Sequence, residues 1–265
     1  MTLFAVPGEA QILHPGAEIG WTDYADLALA SPVVLVGAVD RVDRLSKKDA
    51  PDVPPGQVRA LVQAKLQTAL KAPSLLPEGA AWLWQGAAGA KGRPPFARED
   101  RLLVFARPMA GGARPEVQAL QLVSNAGQQP WTVEAEAQVR AILKEAQQPG
   151  ALGLMVTGVA DGFHTQGDVP GTSESQFFLR TEGGRPLTLV VRRSPGREPE
   201  VRASAGDLVE RAVPIQPRTL LWRALACGLP AELPPALAGQ EGLAGDYRLA
   251  REAIGACGRT LPPPA

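Results

Sequence analysis

The chain has 265 residues, 45% of them hydrophobic and 20% charged, a globular composition long enough to bury a proper core as one large domain or two ordinary ones. Basic and acidic residues both number 27, so the formal net charge is zero and no general attraction to nucleic acid or to an anionic membrane follows. Only six of the basic residues are lysine, which beside 28 glycines and 26 prolines reads as the bias of a GC-rich genome, and no apolar run nears the roughly 20 residues that span a bilayer.

Residues 1–22 read as an irregular arm, punctuated by Pro7, Gly8, Pro15 and Gly16. The arm has neither a basic n-region nor an apolar h-region, so it is not a signal peptide. The expectation is either a cytoplasmic protein or a mature exported form restarted at Met1. A short helix follows in "DYADLALASP", with Asp23 as its N-cap and Ser31-Pro32 as its stop. "VVLVGAV" is β-branched and apolar throughout, a strand buried on both faces or crossing a core.

The clearest pattern is "VRALVQAKLQTAL", where Val58, Ala60, Val62, Ala64, Leu66, Thr68 and Leu70 alternate with mostly polar neighbours. Alternation of this length predicts a long, half-buried strand, with a helix as the rival because Val58, Leu61, Val62 and Leu66 also share a helical stripe. Short strands "AWLWQ", "RLLVFAR" and "VQALQLV" come next, the last two joined at Gly111-Gly112. Thr132 then caps a helix whose stripe is Val139, Ile142, Leu143 and Ala146, ended by Pro149-Gly150.

A second β section holds "LMVTGVA", "QFFLRT", "LTLVVRR" and "EVRAS", with a hairpin turn at Gly183-Gly184 and a type II turn at Ser194–Arg197. A faint echo links its start (Val156–Asp161) with Val36–Asp40, which leaves an internal duplication open. The C-terminus is helical. "PRTLLWRALACG" ends at Gly228, and "GDYRLAREAIGACG" takes Asp246 as N-cap, with Ala250, Ala253, Ile254 and Cys257 as its buried stripe. The fold class expected is α+β, mainly β. Its parts are an arm (1–22), an OB-like barrel (23–130), and a segment 131–265 with one helix, a second sheet and C-terminal helices.

Cys227 and Cys257 are the only cysteines, and both lie in this helical end. A lone pair without a C-x-x-C spacing suits a single disulfide better than a metal site or redox motif, and so suggests an extracytoplasmic home. Closing its loop of 30 positions would stabilise the fold by about 3.5 kcal/mol through chain entropy. The alternative is two buried thiols facing each other across a helix pair in a cytosolic protein.

Residues 24–107 resemble the netrin-like (TIMP-like) version of the OB barrel. The resemblance is carried by "ASPVVLVGAV", by the long strand ending in "LQTALKAP", and by "REDRLLVFARP". The cysteines of that family's animal members are absent, and Leu102 stands where an aromatic precedes "LVF". Nearly the whole chain also resembles a group of uncharacterised exported alphaproteobacterial proteins, through "FHTQGDVPGTSESQ" and the "LACGLP…DYR…C" ending. These likenesses imply architecture and a periplasmic or secreted compartment, and neither supplies a catalytic residue.

The richest polar stretch is "DGFHTQGDVPGTSESQ", with His164 among Asp161, Asp168, Ser173, Glu174 and Ser175. A Ser-His-acid relay needs a nucleophile on a rigid turn, and neither G-x-S-x-G nor S-x-x-K occurs. Zinc usually takes several His or Cys, and the chain has only His14 and His164 as imidazoles. The stretch therefore reads as a solvent-exposed polar loop between two strands, without bound metal or cofactor, with contact to a ligand as the sharper reading. "GAAGAKG" is not a phosphate loop, because no Ser or Thr follows Lys91 and Arg93-Pro94-Pro95 forbids the helix it needs.

Trp82 and Trp84, two apart on a strand, project from one face, where they either stack on a ligand or fill the core. Arg192, Arg193 and Arg197 read as a solvated hairpin edge. Two function classes follow. The favoured one is a non-catalytic envelope module that binds a protein, peptide or glycan, with a netrin-like protease inhibitor as a special case. The other is a hydrolase or transferase built on the His164 segment.

Overall fold

In a computed structural model, residues 19–110, 116–206 and 212–263 are described. The arm expected over 1–22 lies mostly outside them, as do His14 and the Gly111-Gly112 turn. Strand exceeds helix, 37% to 22%, as the mainly β reading anticipates. The chain divides into two compact units, one built on residues 26–140 and the other on 20–25 with 141–260.

The first unit contains β1 (Val33–Arg44), β2 (Gln57–Lys71), β3 (Gly79–Ala87), β4 (Arg101–Pro108), β5 (Val117–Leu122) and β6 (Gln128–Pro130). Their order is β1-β2-β3-β5-β4, and β4 returns to pair with β1, so five strands close into a barrel, with β6 pairing to β4 at Leu102–Val104 where β5 leaves off at Ala106. All pairings are antiparallel except β3 with β5, where Gly79–Trp82 run parallel to Val117–Leu120. This mixed, closed five-strand barrel is compatible with an OB-like fold. The alternation from Val58 to Leu70 is indeed one strand, bent by irregular register where β1 crosses it.

The barrel interior follows directly from the period of two. Val58, Ala60, Val62 and Ala64 of β2 point inward with Trp82 and Trp84 of β3, Leu102 and Val104 of β4, and Val33, Leu35 and Val39 of β1. The Trp82 indole is fully buried, and its N–H donates to Gln128 Oε1 at 2.7 Å, so the one polar atom of that ring is satisfied. Trp84 meets Phe96 edge-on, with centroids 5.0 Å apart. The two tryptophans share a face as the sequence implied. That face is the core, and they are no stacking surface.

The second unit contains β7 (Val156–Gln166), β8 (Ser173–Thr181), β9 (Leu187–Arg193), β10 (Glu200–Ala205) and β11 (Val213–Pro214), in the order β11-β10-β9-β8-β7, each antiparallel to its neighbour. The type II turn is present: Gly196 has φ +69° and the Arg197 amide donates to the Ser194 carbonyl at 3.2 Å. One face of this sheet buries Val159, Phe177, Leu179, Leu187, Leu189 and Val191 beneath helices α3 (Leu220–Gly228) and α5 (Leu243–Ile254), with the short α4 (Pro235–Ala238) between them in sequence. A five-stranded meander is a different topology from the barrel, so the Val36–Asp40 echo marks no shared architecture.

Helices α1 (Trp21–Ala30) and α2 (Val133–Ala146) complete the chain. Thr132 caps α2 by accepting from the Ala135 amide at 3.0 Å, as expected. Helix α1 begins two residues before its expected cap, which puts Asp23 in the first turn, where it accepts from the Gly20 amide at 2.8 Å. Helix α5 also starts earlier than the sequence suggested. Its N-cap is Gly242, and Asp246 is a buried residue of the first turn. Cys257 lies beyond the end of this helix and Ala253 is exposed, so neither belongs to its buried stripe. The Cys227 and Cys257 sulfurs are 2.11 Å apart, a disulfide. Among the described residues, no helix is long and apolar enough to cross a membrane.

Candidate functional site

The polar stretch expected to be one exposed loop is the tip of the β7–β8 hairpin. His164, Thr165 and Gln166 belong to β7, while Ser173, Glu174 and Ser175 belong to β8, and His164 sits directly opposite Ser175. Only Gly167–Thr172, including the exposed Asp168, remain as loop. The misreading has a physical source. Both strand ends are polar, yet the ladder runs on through three strands, with Gln166 opposite Ser173 and Ser173 opposite Arg193, so hydrophobic pattern stops before the ladder does.

Strand alternation then sorts the candidates onto two faces. Asp161 and Glu174 point away from the helices. Asp161 is exposed and its carboxylate accepts from the Gly162 amide at 2.8 Å. Glu174 is bound by Gln176 and by Arg192, which hold its carboxyl below the usual range against the opposing push of partial burial. Ser173 lies beside the turn of the hairpin, opposite Gln166 on one side and Arg193 on the other. None of these meets His164.

On the other face, His164 and Ser175 meet two residues that sequence reading assigned elsewhere. Ser175 is fully buried, and its hydroxyl donates to Asp246 Oδ2 at 2.6 Å. That proton is thereby committed, so the 2.9 Å contact between Ser175 Oγ and His164 Nδ1 is made by Nδ1–H donating to the hydroxyl oxygen. Nδ1 is also 3.5 Å from Asp246 Oδ2. The second carboxylate oxygen, Oδ1, takes both Nε (2.7 Å) and Nη2 (2.6 Å) of Arg193. Asp246 is 2% exposed, a charge sustainable there only because both oxygens are occupied.

The imidazole is clamped from the far side as well. A side chain at Gly242 would place its Cβ 2.8–2.9 Å from Cε1, Nδ1 and Nε2 of His164, so the ring lies flat against this glycine at the start of α5. Gly242 also has φ +78°, a conformation that favours glycine.

Chemically, this is a closed circuit. The only serine beside the histidine is sealed from solvent and already donates its proton to a carboxylate, so it offers no nucleophile to a substrate. Among the described residues, no group of three or more His, Cys, Asp and Glu could hold a metal ion. What the arrangement can do is fasten α5 to the hairpin.

Asp246 and Arg193 are the residues that sequence reading missed. A signal for Asp246 was present: it lies four and eight positions before Ala250 and Ile254, on the apolar stripe of its helix, and an aspartate there demands a buried partner. Nothing in the sequence distinguishes Arg193 from its exposed neighbour Arg192. Scanned against protein-family models the chain matches none, and a search of curated proteins finds no match either.

Proposed function

We propose that this protein is a non-catalytic binding module of the cell envelope, working through the outer face of its barrel on a protein or peptide partner. The observation that carries the reading is the division of labour within β2 and β3. Their inward residues fill the barrel, so a ligand finds its contacts on the outside. There Leu61 and Leu83 stand opposite one another, and Leu83 is 54% exposed in mid-strand.

Beside this apolar pair runs a fixed polar row. Arg59 donates to Gln85 (2.6 Å from Nη2) and grips Asp52 with both terminal nitrogens, while Gln85 donates to Gln57 at 2.9 Å. An aliphatic strip flanked by ordered amides and a guanidinium suits main-chain amides and small apolar side chains. A glycan is less suited, because sugar rings pack on aromatic faces and the aromatics of β3 point inward. OB-like barrels in general take ligands on this pair of strands, which is analogy at the level of fold. The netrin-like protease inhibitor is the special case that adds the strand motifs of residues 24–107.

The exported compartment is supported by the disulfide, since such bridges persist in oxidising surroundings. A hydrolase at His164 is disfavoured by the committed hydroxyl of Ser175. The test is retention of envelope proteins or peptides on the immobilised protein, compared with Leu83→Asp and Arg59→Ala variants of unchanged melting temperature. Saturable binding weakened tenfold or more by either variant supports the reading. Hydrolysis of an ester, peptide or glycoside that is lost in His164→Ala would overturn it.

A further inference from the structure

A second polar hub, remote in sequence from the hairpin, lies where the start of α1 meets the chain's last residues. Asp23 is 1% exposed. Its carboxylate accepts from the Gly20 amide, from the Thr260 amide (3.0 and 3.2 Å to its two oxygens) and from the Thr260 hydroxyl (2.8 Å). Its neighbour Thr22 donates to the carbonyl of Cys257 at 2.6 Å. Gly20 itself has no room for a side chain, since a Cβ there would come within 2.9 Å of the Gly258 carbonyl. Residues 257–260 are therefore the seat on which the first turn of α1 rests, and one of them is half of the disulfide.

We propose that the Cys227–Cys257 disulfide is a redox latch that holds this seat, and that its reduction by a dithiol releases the first turn of α1 while the helices around it stay packed. Helix α5 ends at Ile254, so residues 255–260 have no helical ladder of their own. Two of them, Gly255 (φ +80°) and Gly258 (φ +67°), occupy the left-handed region, where the unfolded chain has most freedom to lose. The entropy of ordering six such residues opposes the hydrogen bonds to Asp23 and nearly cancels them. The covalent bond tips that balance by fixing Cys257 to α3.

Locality follows from contacts that do not use sulfur. The Trp222 indole N–H donates to the Ile254 carbonyl at 2.9 Å, and Leu225, Tyr247, Ala250 and Ile254 belong to one core cluster. These keep α3 on α5 after the bridge is broken. Both cysteines are partly exposed, so a reductant can reach them. The exchange balances with one dithiol. Its first thiolate attacks one sulfur of the bridge and expels the other as a thiolate. Its second thiol then resolves the mixed disulfide, leaving two thiols on this protein and a disulfide on the reductant.

The experiment is hydrogen exchange on the intact protein, oxidised and after complete reduction with dithiothreitol verified by thiol alkylation and mass. The expected result is exchange of the Thr260 amide and of residues 20–24 that is faster by about tenfold or more, with β2 and β8 unchanged. Cys257→Ser should reproduce it without reductant. Unchanged protection at Thr260 and 20–24 in the fully reduced protein would overturn the latch. So would loss of protection that spreads equally through β8, because the bridge would then hold the whole unit.

Discussion

In the barrel, the buried Trp82 N–H is a neutral donor met by one neutral acceptor on Gln128. In the second unit the corresponding place is taken by Asp246, a carboxylate met by a serine, an arginine and a nearby histidine. The difference traces to closure. A sheet that pairs its first strand with its last has no edge and buries one face on itself. The open β7–β11 sheet has to borrow helices to cover its face, and helices must be fastened. The second unit does this with charge and with a disulfide, and what fastens is also what can be cut.

The comparison breaks most sharply at Asp246. Asp246→Ala leaves the Ser175 hydroxyl buried without an acceptor and removes both Arg193 bonds, so stability should fall by about 4 kcal/mol, the range for breaking a buried, hydrogen-bonded charge. Urea denaturation measures it, and Asp246→Asn should recover part of the loss by keeping an acceptor for Ser175. A loss below about 1 kcal/mol for the alanine variant would mean the circuit fastens nothing.

Gly242→Ala attacks the same fastening from the backbone. It forces a side chain into a left-handed conformation and into the His164 ring together, for an expected cost of about 3 kcal/mol. Removing the ring isolates the first effect: in a His164→Ala background the same substitution should cost roughly half as much, a coupling read from a double-mutant cycle. Equal costs in both backgrounds would show that the ring and the glycine do not press on each other.

How much of this was legible beforehand follows the same division. The barrel was, because alternation in Val58–Leu70 and the apolar run Val33–Val39 are local statements about which face a side chain takes. Trp82 and Trp84 were correctly placed on one face, but sequence alone could not say that the face was inward. The hairpin was misread at its polar end, where backbone pairing and not hydrophobicity keeps the strands together. Asp246 was read as a helix cap because Asp after Gly is a good cap anywhere, and only tertiary packing reveals that Gly242 starts the helix. The cysteine pair was legible because, with two cysteines, there is only one bridge to form.

On the barrel side, Trp82→Phe keeps the ring and deletes its one donor. Gln128 Oε1 is then left buried without its partner, and the expected cost is about 2 kcal/mol. A further change of Gln128 to Leu should return part of it, since an apolar pair removes the orphan. If the double variant is no more stable than Trp82→Phe, the hydrogen bond is not what the barrel loses.

The smallest effect expected lies at the foot of the barrel unit, where the Trp131 indole N–H donates to Glu136 Oε2 at 2.6 Å and Arg140 holds the other oxygen at 2.7 Å. The indole hydrogen bond, against the opposing push of burial and with the help of Arg140 and the field of Arg101, holds the Glu136 carboxyl below its ordinary value of 4.5. Arg101 also lies over the Trp131 ring, 3.3 Å from its centre, so the three groups move together. A carboxyl whose folded pKa is depressed contributes stability that is complete above its unfolded pKa and is lost as pH falls through the folded one. The pH-dependent contribution should therefore be full at pH 6, decline below 4.5, and amount to less than about 1 kcal/mol because the pair is close to solvent. The indole N–H resonance of Trp131 reports it directly: its shift should titrate with a midpoint under 4.5 and become flat in Glu136→Gln. A midpoint at or above 4.5 would show that neither the indole nor the arginines favour the ionised carboxyl.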